Sequence, residues 1–399
     1  MPVAIVAAVV VAEAAVALMW PRHGVIDPAP VRAASYFSGE EIERARDFRR
    51  PQLLLSLAAF AVELGILVLL VRRPPRVLRG PFRRPIVAAA LAGAALSVLL
   101  AAAPLPLKAI ARERARDVGL VTQSWGGYAF DLVRSWAIGA VFAGIGAALG
   151  VGLIRRMPRT WWIPGSAIVV AFAAITTYAS PVVLDPIFNR FDRLPAGQTR
   201  DDVLELARRA GVDVGEVYRM DASKRTTASN AYVTGLGHTK RVVLYDNLLK
   251  DFSRDEVRLV VAHELGHVRY DDVPRGLLWV AIVTPVGLFA ASGMTARLAP
   301  GEERPGPAVL PALALSVTLM TFALTCVSNQ LSRRVEARAD SFALELTREP
   351  DAFISFQRRI SVKNVGDPDP PGWSSFLFGT HPTTMRRIGA AVAAREEER

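Results

Sequence analysis

A single cysteine, Cys326, stands in a chain of 399 residues. No intrachain disulfide can form, and no cluster of thiolates can hold a metal. Histidine is scarce as well, with five in the whole chain, so any imidazole site must be drawn from that handful. No internal repeat or low-complexity tract is present, and no basic stripe is interleaved with aromatics as single-strand binding requires. The net charge of +11 therefore does not argue for a nucleic-acid partner. Much of the excess sits in short clusters such as Arg72, Arg73, Arg76, Arg79, Arg83 and Arg84. Those flank apolar runs, where positive charge fixes membrane orientation.

The apolar residues, 51% of the chain at a mean hydropathy of +0.28, are gathered in long runs rather than spread as a soluble core would need. Seven runs are long enough to span a bilayer: 3–20, 52–71, 85–105, 133–153, 161–184, 276–297 and 306–328. The first lacks a positive leading segment and a small-residue cleavage site, so it reads as a retained span rather than a signal peptide. Gly and Ser in the fourth, sixth and seventh runs suit close helix packing. Glu13 and Glu63 lie inside the first two. A carboxylate there is costly, and it either faces the bundle interior or water, or stays neutral without function.

Two polar stretches, 185–275 and 329–399, interrupt and follow the spans. The first predicts an amphipathic helix at 200–211 and strands near 215–221, 229–234 and 241–246, the last two a hairpin turning at 235–240. Ser253 and Glu256 form a capping box that starts a helix running through His267. The second stretch predicts a helix from Asn329 to about Leu346, a loop over 366–372 and a short helix after His381.

His263-Glu264-Leu265-Gly266-His267 lies on the capped helix. Residues four apart share a face, so His263 and His267 present two imidazoles to one point, as a tetrahedral Zn²⁺ requires. Glu264 can then reach a metal-activated water without itself being a ligand. A third protein ligand is needed. His23 sits just past the first span and His238 in the hairpin turn, and neither suits. Glu336 and Asp340 share a helical face at i, i+4. One could ligate while the other orients a histidine, or both could form an exposed acidic face with arginine partners; spacing leaves both readings open.

Wider likenesses decide more. Pro186-Ile187-Phe188-Asn189-Arg190-Phe191, Asp221 to Tyr232, Arg241 to Leu249, Ser332 to Asp340, and Thr380-His381-Pro382 with Arg387-Ile388 occur in order around the HELGH segment. Together with Asp117 to Ser124 they resemble the type I CAAX prenyl protease family, which is related to the bacterial heat-shock membrane proteases. Ala222 and Ala228 stand where that family often shows Gly and His.

The resemblance implies a mainly α, integral membrane fold: seven transmembrane helices around a water-filled chamber, with a gluzincin-like α+β zinc peptidase domain. That chamber would account for Glu13 and Glu63. The division would be 1–184 for five membrane helices, 185–275 for the first part of the peptidase domain, 276–328 for helices six and seven, and 329–399 for the second part. It further implies one Zn²⁺ per chain on His263, His267 and Glu336, with Glu264 as general base and Asp340 orienting a ligand histidine. His381 would stabilise the oxyanion, and Asn230, Ala231 and Tyr232 would form the edge strand that takes an extended peptide.

The expected activity is metalloendopeptidase cleavage of peptides or membrane proteins, with lipidated substrates a further option. Membrane lipids are expected partners, and the protein is expected to be a monomer. A retinal pump would need a lysine in the last span, and 306–328 has none; a catalytically dead scaffold would leave a full set of zinc residues unexplained. Arg in preference to Lys, with abundant Ala, suggests a bacterial plasma membrane. Arginine in the loops 72–84, 154–160 and 298–305 would make those cytoplasmic and put 185–275 outside. The family's eukaryotic members place the zinc domain on the cytosolic side, so sidedness stays open.

Overall fold

Each of the seven apolar runs lies on a helix, but the helices begin and end where caps and breakers dictate rather than where hydropathy does. The computed structural model describes residues 2–80, 82–235, 240–299 and 306–397. Most of the turn expected at 235–240, with His238, and most of the 298–305 loop lie outside those residues. The membrane half comprises α1 (Pro2–Met19), α2 (Gly39–Arg72), α3 (Pro85–Ala102), the amphipathic α4 (Leu105–Asp117), α5 (Trp125–Arg156) and α6 (Trp162–Val183). Ser38 and Glu41 form a capping box that starts α2 well before its apolar run, and the Ser124 hydroxyl caps α5 at Gly127 N.

Six helices among the described residues are long and apolar enough to cross a membrane, while the apolar stretch of α1, Val3–Met19, is shorter. Their outward faces carry large exposed apolar side chains such as Leu54, Leu91 and Ile175. A soluble protein rarely exposes so continuous an apolar surface. Small residues bring α3 and α5 together: a Cβ on Gly93 would lie 2.8 Å from the Ala143 carbonyl oxygen, and one on Gly144 3.0 Å from that of Ala90. The molecule is thus a mainly helical, multi-pass integral membrane protein.

A short α7 (Asp185–Phe188) leads into β1 (Phe191–Arg193), α8 (Gln198–Arg209), β2 (Glu216–Met220), β3 (Ala231–Thr234), β4 (Arg241–Tyr245), α9 (Asp246–Asp251) and α10 (Arg254–Arg269). The sheet order is β1-β2-β4-β3, with β2 and β4 parallel and both outer pairs antiparallel. The predicted pairing of the last two strands is present, with Ala231 opposite Leu244 and Thr234 opposite Arg241. β1 was not predicted. Three residues are too few to show alternation, and they extend only because the edge of β2 is there to pair with. Val242, Val243 and Leu244 are wholly buried, as a strand covered on both faces must be. Val217, Val242 and Leu244 pack with Val203 and Leu206 of α8 and Val257, Val261 and Leu265 of α10. Each such side chain contributes roughly 1.5–3 kcal/mol on burial.

After α11 (Asp272–Leu298), α12 runs from Leu310 to Thr347 without a break. The separate helix expected at Asn329 is its continuation. No Gly or Pro occurs between 312 and 347, so nothing ends the helix where the apolar run ends. α13 (Pro350–Lys363), α14 (Gly372–Phe378) and α15 (Thr384–Glu397) complete the chain. α12 packs against α10, α11, α1 and α2, so one rod joins the membrane bundle to the sheet half.

Candidate active site

The capping box predicted at the start of α10 is formed. Ser253 Oγ accepts from Glu256 N, and the Glu256 carboxylate accepts from Ser253 N at 2.8 Å. It fixes the helix start, and with it the face on which His263, Glu264 and His267 fall. Gly266 lets α10 sit close to α12: a Cβ there would be 3.3 Å from Ala339 Cα and 3.2 Å from the Phe342 ring. That close crossing brings Glu336 to the two histidines.

His263 Nε2 and His267 Nε2 are 3.2 Å apart. Glu336 Oε2 lies 3.2 Å from His263 Nε2, and Oε1 lies 3.7 Å from His267 Nε2. Both remaining ring nitrogens are occupied. His263 Nδ1 is 2.9 Å from Asp340 Oδ1, and His267 Nδ1 is 2.9 Å from Asp272 Oδ2. With Nδ1–H donated to a carboxylate, each Nε2 is left as a lone pair, the form in which imidazole ligates a metal.

Two such lone pairs at this separation repel unless a cation lies between them. Glu336 Oε2 is moreover buried and accepts no hydrogen bond among the described residues, although His263 Nε2 and His381 Nε2 each lie 3.2 Å away. A tetrahedral ion with bonds of about 2.0–2.1 Å has ligands about 3.3 Å apart, which fits these spacings. The Glu336 carboxylate, held ionised by His263 and His267, contributes a negative charge that a metal cation offsets. Two imidazoles and a carboxylate could hold a metal ion here, and this donor set occurs in hydrolytic zinc sites.

The holding carboxylates are themselves clamped. Arg387 donates to both oxygens of Asp340, at 2.8 and 2.5 Å. Arg338 donates to Asp272 at 2.5 Å and lies 4.2 Å from the Tyr270 ring. Asp272 was not singled out in the sequence reading, and Arg338 and Arg387 entered it only within the matching segments, with no role at the site. The usable signal was that a ligating histidine almost always donates its second ring nitrogen to a carboxylate or carbonyl, and Asp272 stands five residues past His267.

Burial pushes the Glu264 carboxyl above its usual range, partly opposed by His263 and His267. His381 Nε2 lies 3.2 Å from Glu336 Oε2, and its Nδ1 is 2.9 Å from Thr380 Oγ1. Burial pushes this imidazole down, against the pull of Glu336, so it favours the neutral form.

A cleft of about 450 Å³ opens beside Glu264 and His267. Its walls are β3, the end of α6 at Tyr178 and Pro181, and the start of α11 at Val273 and Pro274. The strand contribution runs from Tyr232 to Gly235. Tyr232 lines it, and its hydroxyl donates to Asp185 at 3.2 Å. Ala231 opens the edge strand β3 with its side chain in the sheet core, and the carbonyl of Asn230, just before it, accepts from Tyr245 N. Neither of those two side chains lines the cleft. Arg241 donates to the Pro181 carbonyl at 2.6 Å, which ties the sheet to the membrane helix forming the opposite wall.

The profile of Peptidase family M48 matches residues 193–395. The chain is 32% identical over 300 residues to an uncharacterized metalloprotease, YhfN, of Bacillus subtilis, covering 73% of this chain and 70% of that protein. It is 27% identical over 296 residues to CAAX prenyl protease 1 of Saccharomyces cerevisiae, covering 67% of this chain and 64% of that one. The crystal structure of S. mikatae Ste24p superposes with a TM-score of 0.79 at 19% identity, covering 97% of this chain and 99% of that chain. That last likeness is one of fold.

Proposed function

This chain belongs to peptidase family M48 and is a metalloprotease, and from that premise we propose that it is an integral-membrane zinc endopeptidase of hydrophobic peptides. The observation that carries the proposal is the convergence of His263 Nε2, His267 Nε2 and a Glu336 oxygen, each imidazole held from behind by a carboxylate. These three residues would hold one zinc ion, which when bound acidifies water and polarises the scissile carbonyl.

The chain's own groups do the rest. Glu264, with its proton affinity raised by burial, takes the proton of the attacking water and returns it to the leaving amine. The Thr380 hydroxyl donates to His381 Nδ1, leaving the ring proton on Nε2 to stabilise the developing oxyanion. Among the described residues β3 has a partner strand on one side only, so an extended peptide can add to it. Its side chains would then meet Pro181, Val233 and Val273 in the cleft, which favours apolar residues.

In this reading α1 is a seventh span, the membrane helices enclose a chamber, and residues 185–275 and 329–399 form one gluzincin-like peptidase domain. The substrates are membrane proteins or hydrophobic, including lipidated, peptides. The setting is a bacterial plasma membrane, and the protein acts as a monomer. Glu264→Gln tests the chemistry: bound zinc should stay at one per chain while peptide hydrolysis falls by about 10²–10⁴-fold. Undiminished hydrolysis by that variant would remove Glu264 as the base. The same variant should trap its substrates for identification by mass spectrometry.

A further inference from the structure

A second cavity, of about 600 Å³, lies along α12 and shares no lining residue with the cleft. Its walls carry Arg333, Arg334, Arg386 and Arg387 against Asp340 and Asp369, a formal charge of +2. Asp340 is already engaged by Arg387 and His263. The other three arginines have no carboxylate within ion-pair distance among the described residues.

Arg333 donates only to carbonyl oxygens, of Ser375 at 2.9 Å, Phe376 at 3.2 Å and Gly379 at 2.7 Å. Arg334 donates to the Pro21 carbonyl at 3.1 Å. Arg386 is exposed, and its charge repels that of Arg333. Neutral carbonyls position these guanidiniums but leave their charge unmet. Three like charges held around one cavity call for an anion.

The position of the cavity says which anion. The apolar run of α12 ends at 328, so Arg333 and Arg334 stand roughly 8–9 Å beyond it at 1.5 Å per residue. Trp20, just past the end of α1, lines the same cavity, with the Arg334 guanidinium 5.8 Å from its ring. α14 forms another wall, and its Trp373 and Phe376 are 56% and 51% exposed. Exposed aromatics beside arginines at the end of a span mark the water–membrane boundary. There the abundant anion is the phosphate of a lipid headgroup.

We propose that this cavity binds the phosphate headgroup of an anionic membrane lipid, through Arg333, Arg334 and Arg386. The ligand would sit directly behind the Arg387–Asp340 pair that holds His263. Lipid identity could therefore bear on the metal centre without any contact with the peptide cleft.

The test uses the full chain in detergent, stripped of lipid, with bound phosphatidylglycerol or phosphatidylcholine counted by native mass spectrometry. Phosphatidylglycerol should be retained in preference. Arg386→Gln and Arg334→Gln should each weaken its retention about fivefold, whereas Arg190→Gln, at an exposed arginine before β1, should not. Arg386 has no side-chain partner to lose, so that variant should keep the wild-type thermal unfolding. Equal retention by wild type and both variants would overturn the proposal. So would displacement of the lipid by inorganic phosphate at equal concentration, which would mark a free-anion site. Displacement by a peptide with a free carboxyl terminus, but not by its amide, would reassign the cavity to substrate and equally overturn it.

Discussion

His263 and His267 stand one turn apart on the same helix, yet the carboxylates behind them come from different parts of the molecule. Asp340, which holds His263, lies on α12 one turn beyond Glu336 and is clamped twice by Arg387. Asp272, which holds His267, opens the membrane helix α11 and receives a single bond from Arg338. The first arm therefore belongs to the rod that also carries Glu336, so holder and third ligand move together. The second arm hangs on a helix that runs into the bilayer. A shift of α11 would act on His267 and leave His263 in place.

The comparison can be broken at its ends and sharpened in its middle. The largest expected effect comes from losing a ligand outright. His263→Ala should leave purified protein without stoichiometric zinc and without measurable hydrolysis, as read by elemental analysis and a peptide assay. Next comes the stronger arm. Asp340→Asn should lower metal affinity about 10–100-fold. It should also lower stability, by at most about 3–5 kcal/mol, because the half-buried Arg387 loses its carboxylate; competition with a chelator and thermal unfolding read these separately.

Asp272→Asn should cost metal affinity in the same range but toward its lower end, since one bond rather than two is lost behind it. Equal or reversed losses for the two aspartates would contradict the asymmetry. The smallest effect is on the cleft wall. Tyr232→Phe removes one hydrogen bond, worth about 0.5–1.5 kcal/mol, and should raise KM for an extended peptide less than about tenfold with metal content unchanged.

Much of this was readable before any coordinates. The i, i+4 histidines, the Ser253–Glu256 cap and the seven apolar runs are local patterns, and local patterns survive folding. Glu336 was different. Spacing left it open between a ligand and a solvated acid, and only the crossing of α10 over α12 at Gly266 brings it to the histidines.

Asp272 was missed because Asp271-Asp272 reads as an ordinary turn, and its role depends on the chain doubling back toward His267. The continuity of α12 was written in the absence of Gly and Pro between 312 and 347 but masked by the change from apolar to polar composition. The cleft could not be read at all. Its walls come from α6, β3 and α11, which are distant in sequence.

Metal analysis of the purified full chain beside its Glu336→Ala variant tests the central claim most directly. The account predicts one zinc per wild-type chain and none retained by Glu336→Ala after dialysis against a weak chelator. Stoichiometric zinc in that variant would contradict it, because the third ligand would then lie elsewhere.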